Sequence, residues 1–222
     1  MFTGIIQAIG HIQSIEHANQ NCRVQIHTGK LSIDDVTIGD SIAVNGVCLT
    51  AIQWLPQGFI ADLSAETLAR TTFATATIDQ PVNLEKCLTP TTALGGHFVT
   101  GHIDGIAEII KCESIGNSLV MSIKLPADLA RFVALKGSVT VDGVSLTVSD
   151  IQQTIFSVAL VPHTLQQTTL QYVKPSSQVN IEVDIIARYV ARLLACPAVE
   201  QKKSSITAEF LAEHGFNLQR GQ

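Results

Sequence analysis

The sequence predicts an all-β fold in which two homologous domains precede one C-terminal helix. Three features of the 222-residue chain support this prediction: an internal repeat, turn signals between runs of β-forming residues, and one long helical periodicity near the end. Hydrophobic residues make up 46% of the chain and charged residues 15%. This composition supplies enough apolar side chains for a packed core and carries too little charge for a disordered protein.

The internal repeat relates the two halves of the chain at a constant spacing. The block from Ser41 to Thr50 reappears as Ser138 to Thr147, which lies 97 positions later. Three further pairs keep the same spacing: 2–6 with 99–103, 66–72 with 163–169, and 82–85 with 179–182. Two copies are too few for a solenoid, but each is long enough for a small domain. We therefore predict domains at 1–97 and 98–183, a helix at 184–196 and a tail at 197–222.

Each copy contains a strong β-hairpin signal. Asn45-Gly46 and Asp142-Gly143 each follow β-forming residues, and both pairs tolerate the positive φ angles of a type I′ turn. Other predicted strands lie at 23–26, 58–61, 119–123 and 155–159, and short helical turns at 64–68 and 162–165. Short strands that alternate with turns favour a β-sandwich or a small barrel.

The long helical periodicity lies outside both copies. Apolar residues recur at helical spacing between Ile185 and Leu194, Asp184 stands at the favourable N-terminal position, and Pro197 ends the run. Two interpretations stay open: the helix packs on its own domain, or it forms an oligomer interface. A second short helix is expected from Thr207 to Leu211.

Charge and cysteine content exclude several functional classes. The net charge of −5 argues against a general nucleic-acid binder, which needs a basic face. The N-terminus lacks the pattern of a signal peptide, and no segment resembles a membrane span, so we expect a cytoplasmic protein. The five cysteines form no CxxC pair, which predicts neither a disulfide framework nor a zinc site; four of them are expected to be buried thiols.

The differences between the two copies point to the chemistry. The repeat keeps the backbone motifs but exchanges side chains in four pairs: Cys48 with Ser145, Glu66 with His163, Ile5 with His102, and Gly39 with Lys136. Such exchanges suggest two related pockets with different roles. A lone cysteine is most often a small buried side chain, but the serine at the matched position of the other copy favours a polar pocket.

The glycine-flanked segment 95–102 contains His97 and His102. The glycines oppose a helix, and the spacing of the two histidines does not match a metal-binding helix. We interpret this segment as a close backbone approach with one functional imidazole. A glycine-rich phosphate loop is missing, which argues against nucleoside triphosphate chemistry.

These motifs resemble those of the riboflavin synthases of the α-chain type over nearly the whole chain. The matching blocks are the MFTGI start, VNGVCLT (44–50), GGHFVTGHIDG (95–105), KGSVTVDGVSLTV (136–148), VPHTLQQTTL (161–170) and VNIEVD (179–184). The resemblance implies two closed six-stranded β-barrels and a homotrimer built around the C-terminal helix. The family often has an acidic residue near Ala191. The sequence departs from the family there, and the difference concerns the interface rather than catalysis.

The resemblance also implies the reaction. Two molecules of 6,7-dimethyl-8-ribityllumazine exchange a four-carbon unit and yield riboflavin and 5-amino-6-(ribitylamino)uracil, without a metal or an organic cofactor. One copy of the domain would hold each lumazine. The resemblance also suggests a lumazine synthase capsid as a further partner. The alternative is a non-catalytic lumazine-binding protein of the kind that serves luminous bacteria as an optical antenna, but the motifs of both pockets are intact here.

Two sets of substrate-binding residues follow from the resemblance, and each set mixes residues from both copies. The first pocket comprises Gly4, Ile5, Ile6, Lys136, Ser145, Leu146, Thr147, Ala159, Leu160, Val161, Pro162, His163 and Thr164. The second comprises Cys48, Leu49, Thr50, Asp62, Leu63, Ser64, Ala65, Glu66, Thr67, Gly101, His102 and Ile103.

Five of these residues are the candidates for catalysis: His102, Cys48, Ser145, Thr147 and Lys136. The C7 methyl group of one lumazine must lose a proton, and an imidazole with a pKa near about 6.5 suits that transfer. Cys48, Ser145 and Thr147 are candidates for the nucleophile that adds to the other lumazine, or for moving protons to it.

Overall fold

The computed structural model describes residues 1–18, 21–196 and 208–216, and β-strands are the main regular structure among them. Residues 1–191 make one compact unit and residues 192–222 a second unit. In the described part of the chain, no helix is long and apolar enough to cross a membrane.

In the described residues, thirteen strands and four α-helices occur in an order that reflects the repeat. The first copy contains β1 (Ala8–Ala18), β2 (Asn21–His27), β3 (Ser41–Val44), β4 (Val47–Thr50), β5 (Gln53–Leu55), β6 (Gly58–Leu63), α1 (Ala65–Arg70) and β7 (Pro81–Lys86). The second copy contains β8 (Gly105–Ile115), β9 (Ser118–Lys124), β10 (Ser138–Val141), β11 (Val144–Gln152), β12 (Ile155–Leu160), α2 (Pro162–Gln167) and β13 (Gln178–Val183). Helices α3 (Ile185–Ala195) and α4 (Ala208–Glu213) come last. The predicted strands and helical turns are confirmed.

The second copy is a closed six-stranded barrel, as the family resemblance implies. Its strand order is β10-β11-β12-β9-β8-β13, whereas the first copy forms a seven-stranded sheet in the order β4-β3-β7-β1-β2-β6-β5. The two edge strands of the first copy, β4 and β5, are the two halves of the segment that forms the single strand β11 in the second copy. Full closure of the first barrel is therefore not observed.

The break in the first sheet lies at Ala51 and Ile52, where the chain changes its partner. The N–H of Ala51 donates to the carbonyl of Asp40 beside β3, and the N–H of Ile52 donates to the carbonyl of Ile60 in β6. In the second copy, a register shift between Val148 and Asp150 absorbs the same change without ending the strand.

Each sheet encloses its own apolar core. Ile12, Ile26, Phe59 and Leu84 are fully buried in the first core, and Ile109, Met121, Phe156 and Ile181 in the second. The pleat of β4 turns Val47 and Leu49 towards the core and leaves Thr50 exposed and Cys48 half-buried. The start of β11 repeats this pattern with Ser145 half-buried and Thr147 exposed. The candidate reactive side chains therefore point out of the barrels.

The two predicted hairpin turns pack against each other. Asn45 and Asp142 both have φ of 46°, and Gly46 and Gly143 both have φ of 79°, as a type I′ turn requires. A Cβ atom on Gly46 would lie 2.7 Å from the backbone nitrogen of Gly143, and a Cβ on Gly143 would lie 2.7 Å from that of Gly46. Only glycine permits this approach between the two copies.

Buried asparagines complete the joint between the copies. The side-chain amide of Asn83 donates to the carbonyl of Asp142 at 2.9 Å, and that of Asn180 donates to the carbonyl of Asn45 at 2.9 Å. Both asparagines are fully buried. Because each lies in one copy and bonds to the turn of the other, the two copies have a pseudo-twofold arrangement.

Helix α3 begins where the periodicity predicts. The carboxylate of Asp184 accepts the N–H of Ile186 at 2.9 Å and caps the helix. The side chains of Ile186 and Tyr189 are exposed by 58% and 66%, so this helix does not bury its whole apolar face within the first unit. Helix α4 begins at Ala208, while Pro197 and the polar segment 201–205 lie outside the described residues.

All five cysteines are free thiols. Only Cys22 is buried; Cys48, Cys87 and Cys112 are half-buried, and Cys196 is exposed. The expectation of four buried thiols is therefore wrong.

Asp142 should make the stability of the protein fall as the pH rises. Burial raises the pKa of its carboxyl group to about 7, against the opposing effect of the Asn180 N–H that it accepts. The folded protein therefore binds this proton more tightly than the unfolded chain, and the stabilisation is lost as the pH rises from about 4 to 7. Asp142→Asn installs the residue of the first copy, Asn45. We expect this variant to be more stable than the wild type by roughly 2–4 kcal/mol at pH 8, and equally stable or less so near pH 4.

Urea unfolding at intervals between pH 4 and 8 measures the effect. The matched control is Asp150→Asn, at an exposed carboxylate, which should keep the pH dependence of the wild type. An Asp142→Asn curve parallel to that of the wild type would contradict the prediction.

Candidate functional site

A cleft of about 620 Å³ lies on the Cys48 side of the joint between the copies. Cys48, Glu66 and Thr67 line it from the first copy, and Gly101, His102 and Ile103 from the second. Val47, Arg70 and Thr71 of the first copy line it too, and the remaining walls, which include Asp128, Phe132, Ile185 and Arg188, come from the second copy and α3. The structure thus brings six of the twelve residues predicted for the second pocket around one cavity.

A close backbone approach places His102 in the same cleft as Cys48. The N–H of Cys48 donates to the carbonyl of Gly101 at 2.9 Å. Gly101 has φ of +81°, and a Cβ atom there would lie 2.6 Å from the Cβ of Cys48 and 2.9 Å from the ring of Phe2. Glycine is therefore required at this position, and it delivers an exposed imidazole to the cavity that holds the half-buried thiol.

The opposite side of the joint repeats this arrangement. The N–H of Ser145 donates to the carbonyl of Gly4 at 2.8 Å. Gly4 has φ of +77°, and a Cβ atom there would lie 2.6 Å from the Cβ of Ser145. The N-terminal segment of each copy thus docks on the hairpin strand of the other, which explains why each predicted set mixes residues from both copies.

Two buried glutamates hold these docking segments, and the sequence reasoning did not single them out. Glu85 accepts the N–H and the hydroxyl of Thr3, at 2.7 and 2.5 Å, and the N–H of Gly4 at 3.0 Å. Glu182 accepts the same three groups from Thr100 and Gly101, at 2.6, 2.6 and 2.9 Å. Burial raises the pKa of both carboxyl groups, and the hydrogen bonds oppose that rise. The sequence did contain a signal for these residues, because an acidic residue recurs at the same position of an otherwise apolar strand in both copies.

His97 is a third residue to which the sequence reasoning gave no role of its own. Its Nδ1 lies 2.7 Å from the hydroxyl oxygen of Ser145, and the residue is only 9% exposed. Burial lowers the pKa of this imidazole, while the carboxylate of Asp184 acts in the opposite direction. Among the described residues, none bonds to its Nε2. Burial thus favours the neutral form of the imidazole that lies against the hydroxyl of Ser145.

The predicted close approach of the glycine-flanked segment is confirmed at Gly96. A Cβ atom there would lie 2.1 Å from the carbonyl oxygen of Thr3 and 2.8 Å from the hydroxyl of Ser145. His97 and His102 consequently lie on opposite sides of the joint, and the single functional imidazole stays a prediction.

The other predicted residues divide by exposure. Leu49, Leu63, Leu146 and Leu160 are buried in the two cores, so only their backbone atoms can reach a ligand. Thr50, Thr147, Lys136 and His163 are exposed. The carboxylate of Asp62 forms an ion pair with Arg23 at 2.7 Å on the surface of the first sheet.

Ser145, Thr147 and Lys136 do not line the cleft of Cys48, so the predicted catalytic residues lie on both sides of the joint.

The chemistry available in the cleft is that of a thiol, an imidazole and hydroxyl and carboxyl groups. Within residues 1–18, 21–196 and 208–216, no cluster of three or more His, Cys, Asp or Glu side chains could hold a metal ion. These groups can move protons and add to an electrophilic carbon.

Comparison with known proteins identifies the repeat. The model of the lumazine-binding domain matches the chain twice, at residues 3–87 and 100–184. The riboflavin synthase of Photobacterium phosphoreum is 45% identical over 218 residues, which cover 98% of this chain and all of that protein. The riboflavin synthase of Bacillus subtilis is 39% identical over 216 residues, covering 97% of this chain and all of that protein.

Solved structures support the same relationship. The structure of LumP complexed with riboflavin superposes with a TM-score of 0.77 at 27% identity, covering 82% of this chain and 99% of that chain. LumP complexed with 6,7-dimethyl-8-(1′-D-ribityl)lumazine gives a TM-score of 0.75 over the same shares of both chains.

The three hydrogen bonds to Glu182 should be needed to hold the segment that carries His102. Glu182→Gln keeps one acceptor oxygen but turns an amide donor towards backbone N–H groups. We therefore expect a loss of about 2–4 kcal/mol in the free energy of unfolding at pH 7. We also expect faster amide hydrogen exchange at Gly101 and His102. Glu108→Gln, at an exposed position of β8, is the control, and equal effects of the two variants would refute this role of Glu182.

Proposed function

Because the chain belongs to the lumazine-binding-domain family, and within it to the riboflavin synthases, we propose that it converts two molecules of 6,7-dimethyl-8-ribityllumazine into riboflavin and 5-amino-6-(ribitylamino)uracil. The chain is thus an enzyme of riboflavin biosynthesis. The observation that carries this proposal is the match over 98% of the chain to a riboflavin synthase, together with a duplicated domain whose two copies place different reactive groups at matching positions.

The duplication suits a reaction between two identical molecules. One lumazine gives up a four-carbon unit and the other receives it, so the two pockets must treat the same molecule differently. The cleft of Cys48 and His102 would hold one lumazine, and the side of Ser145 and His97 the other. Holding the two rings face to face would supply much of the rate enhancement.

The geometry favours separate chemical roles for the two sides. His102 is exposed in the cleft, where its imidazole can take the proton that the C7 methyl group of a bound lumazine must lose. Cys48, Ser145 and Thr147 are the candidates for the nucleophile that adds to the second lumazine or moves protons to it. The bond between Ser145 and His97 supports Ser145 in this role, and Lys136 would contribute positive charge on that side.

The assembly that we propose is a homotrimer around α3, in which the two pockets that face each other come from neighbouring chains. The exposed side chains of Ile186 and Tyr189 support an interface on this helix. The five free thiols fit a reducing cytoplasm, which is where we place the enzyme.

A second candidate function is lumazine binding without turnover. The similarity to LumP, which was solved with both riboflavin and the lumazine, favours it. We rank this candidate lower because the predicted side chains of both pockets are present and positioned by matching contacts.

Turnover and stoichiometry separate the two functions. We expect the purified protein to form one riboflavin for every two lumazine molecules consumed, measured by riboflavin absorbance. His102→Gln should lower kcat by about a hundredfold, because a general base contributes at least that factor. His27→Gln changes a half-buried histidine of β2 that does not line the cleft, and it should retain wild-type kcat. Lumazine that binds to the wild type without forming riboflavin would establish the antenna function instead.

A further inference from the structure

Asp104 carries a buried charge at the edge of the Cys48 cleft. Its side chain is only 3% exposed. One carboxylate oxygen accepts the N–H of Val183 at 2.7 Å, and the other forms an ion pair with Arg188 in α3. The guanidinium group of Arg188 also stands over the ring of Phe132, 5.8 Å from its centroid. Asp104, Phe132 and Arg188 all line the cleft.

The first copy of the repeat shows which part of this arrangement needs a charge. Gln7 lies 97 positions before Asp104, and its side-chain oxygen accepts the N–H of Lys86, the position that corresponds to Val183. A neutral amide therefore suffices to hold the backbone at this place. Segment 88–98, which follows the first copy as α3 follows the second, contains no Lys or Arg.

The negative charge thus appears only in the copy that is followed by a cation. Burying an unpaired carboxylate costs several kcal/mol. Removal of one partner from a buried ion pair is therefore strongly destabilising. The hydrogen bond to Val183 does not explain why this position is negatively charged, because Gln7 makes the corresponding bond without a charge. The ion pair with Arg188 does explain the charge.

We propose that Arg188 is a positioning residue, which through Asp104 fixes the first turns of α3 as a wall of the Cys48 cleft. Ile185 and Arg188 are the residues that α3 contributes to the cavity. The lumazine affinity of this site therefore depends on the helix whose outer face carries Ile186 and Tyr189. Since the ligand named here is that of the proposed function, the inference deepens that function.

Four variants of the full-length protein test the proposal by fluorescence titration with 6,7-dimethyl-8-ribityllumazine and by steady-state kinetics. Arg188→Gln leaves a buried charge unpaired, and we expect the dissociation constant and KM to rise about tenfold while kcat stays within about threefold of the wild type. Asp104→Gln copies Gln7, and both it and the double variant with Arg188→Gln should raise the dissociation constant less than Arg188→Gln alone. Arg188→Lys keeps a positive charge beside Asp104 and should raise the dissociation constant less than Arg188→Gln does.

The control is Arg131→Gln, which removes the other cation that stands over Phe132, 5.3 Å from its centroid, and should leave the affinity unchanged. Wild-type affinity in Arg188→Gln overturns the proposal, and so does a double variant that is weaker than both single variants. If circular dichroism shows that Arg188→Gln does not fold, the dissociation constants of Asp104→Gln and the double variant still decide. Equal values support an action of Arg188 through Asp104, and weaker binding by the double variant refutes it. A wild type that binds the lumazine but makes no riboflavin refutes the proposed reaction and leaves this test intact.

Discussion

The contact between the two Asx-Gly turns is the constraint on which the rest of the molecule depends. Gly46 and Gly143 approach so closely that a side chain on either would overlap the other's backbone. Cys48 and Ser145 each lie two residues beyond one of these glycines, on the strand that leaves the turn. The turn contact therefore sets the distance of both candidate nucleophiles from the pseudo-twofold axis. A side chain that pushed the turns apart would displace the two copies relative to each other, and the two pockets with them.

On this symmetric backbone, the chain places unequal chemistry. Matching hydrogen bonds from Cys48 to Gly101 and from Ser145 to Gly4 hold matching segments. A thiol stands in the cavity of an exposed imidazole on one side, and a hydroxyl is bonded to a buried imidazole on the other. A reaction that uses one molecule as donor and an identical one as acceptor needs such a difference. Duplication supplied the two sites, and substitution of single side chains made their environments unequal.

The sequence predicted those features that depend on local signals or on the repeat itself. The turns at Asn45 and Asp142 follow from residue type, and the strands and α3 follow from β propensity and helical periodicity. The break at Ala51 and Ile52 was not predictable, because it depends on which neighbouring strand each N–H finds. The role of His97 was hidden for a similar reason: its partner Ser145 lies 48 positions away, and no local pattern records that distance. Glu182 reaches Thr100 across 82 positions.

The buried acids show how the number of donors decides whether a carboxylate is tolerated inside this joint. Glu85 and Glu182 each accept three hydrogen bonds from a threonine and a glycine, and these bonds favour the charged form against the cost of burial. Asp142 accepts the N–H of Asn180 alone as a compensating bond, and burial raises its pKa to about 7. The two glutamates hold the segments that carry Ile5 and His102, so their charge is used to fix the pockets. Asp142 occupies the position where the first copy manages with a neutral Asn45, and the fold therefore does not require a charge there. The carboxylates that hold the pocket segments are thus the ones with three hydrogen bonds. The carboxyl group with a single compensating bond lies in the turn between the copies, where the first copy has a neutral amide.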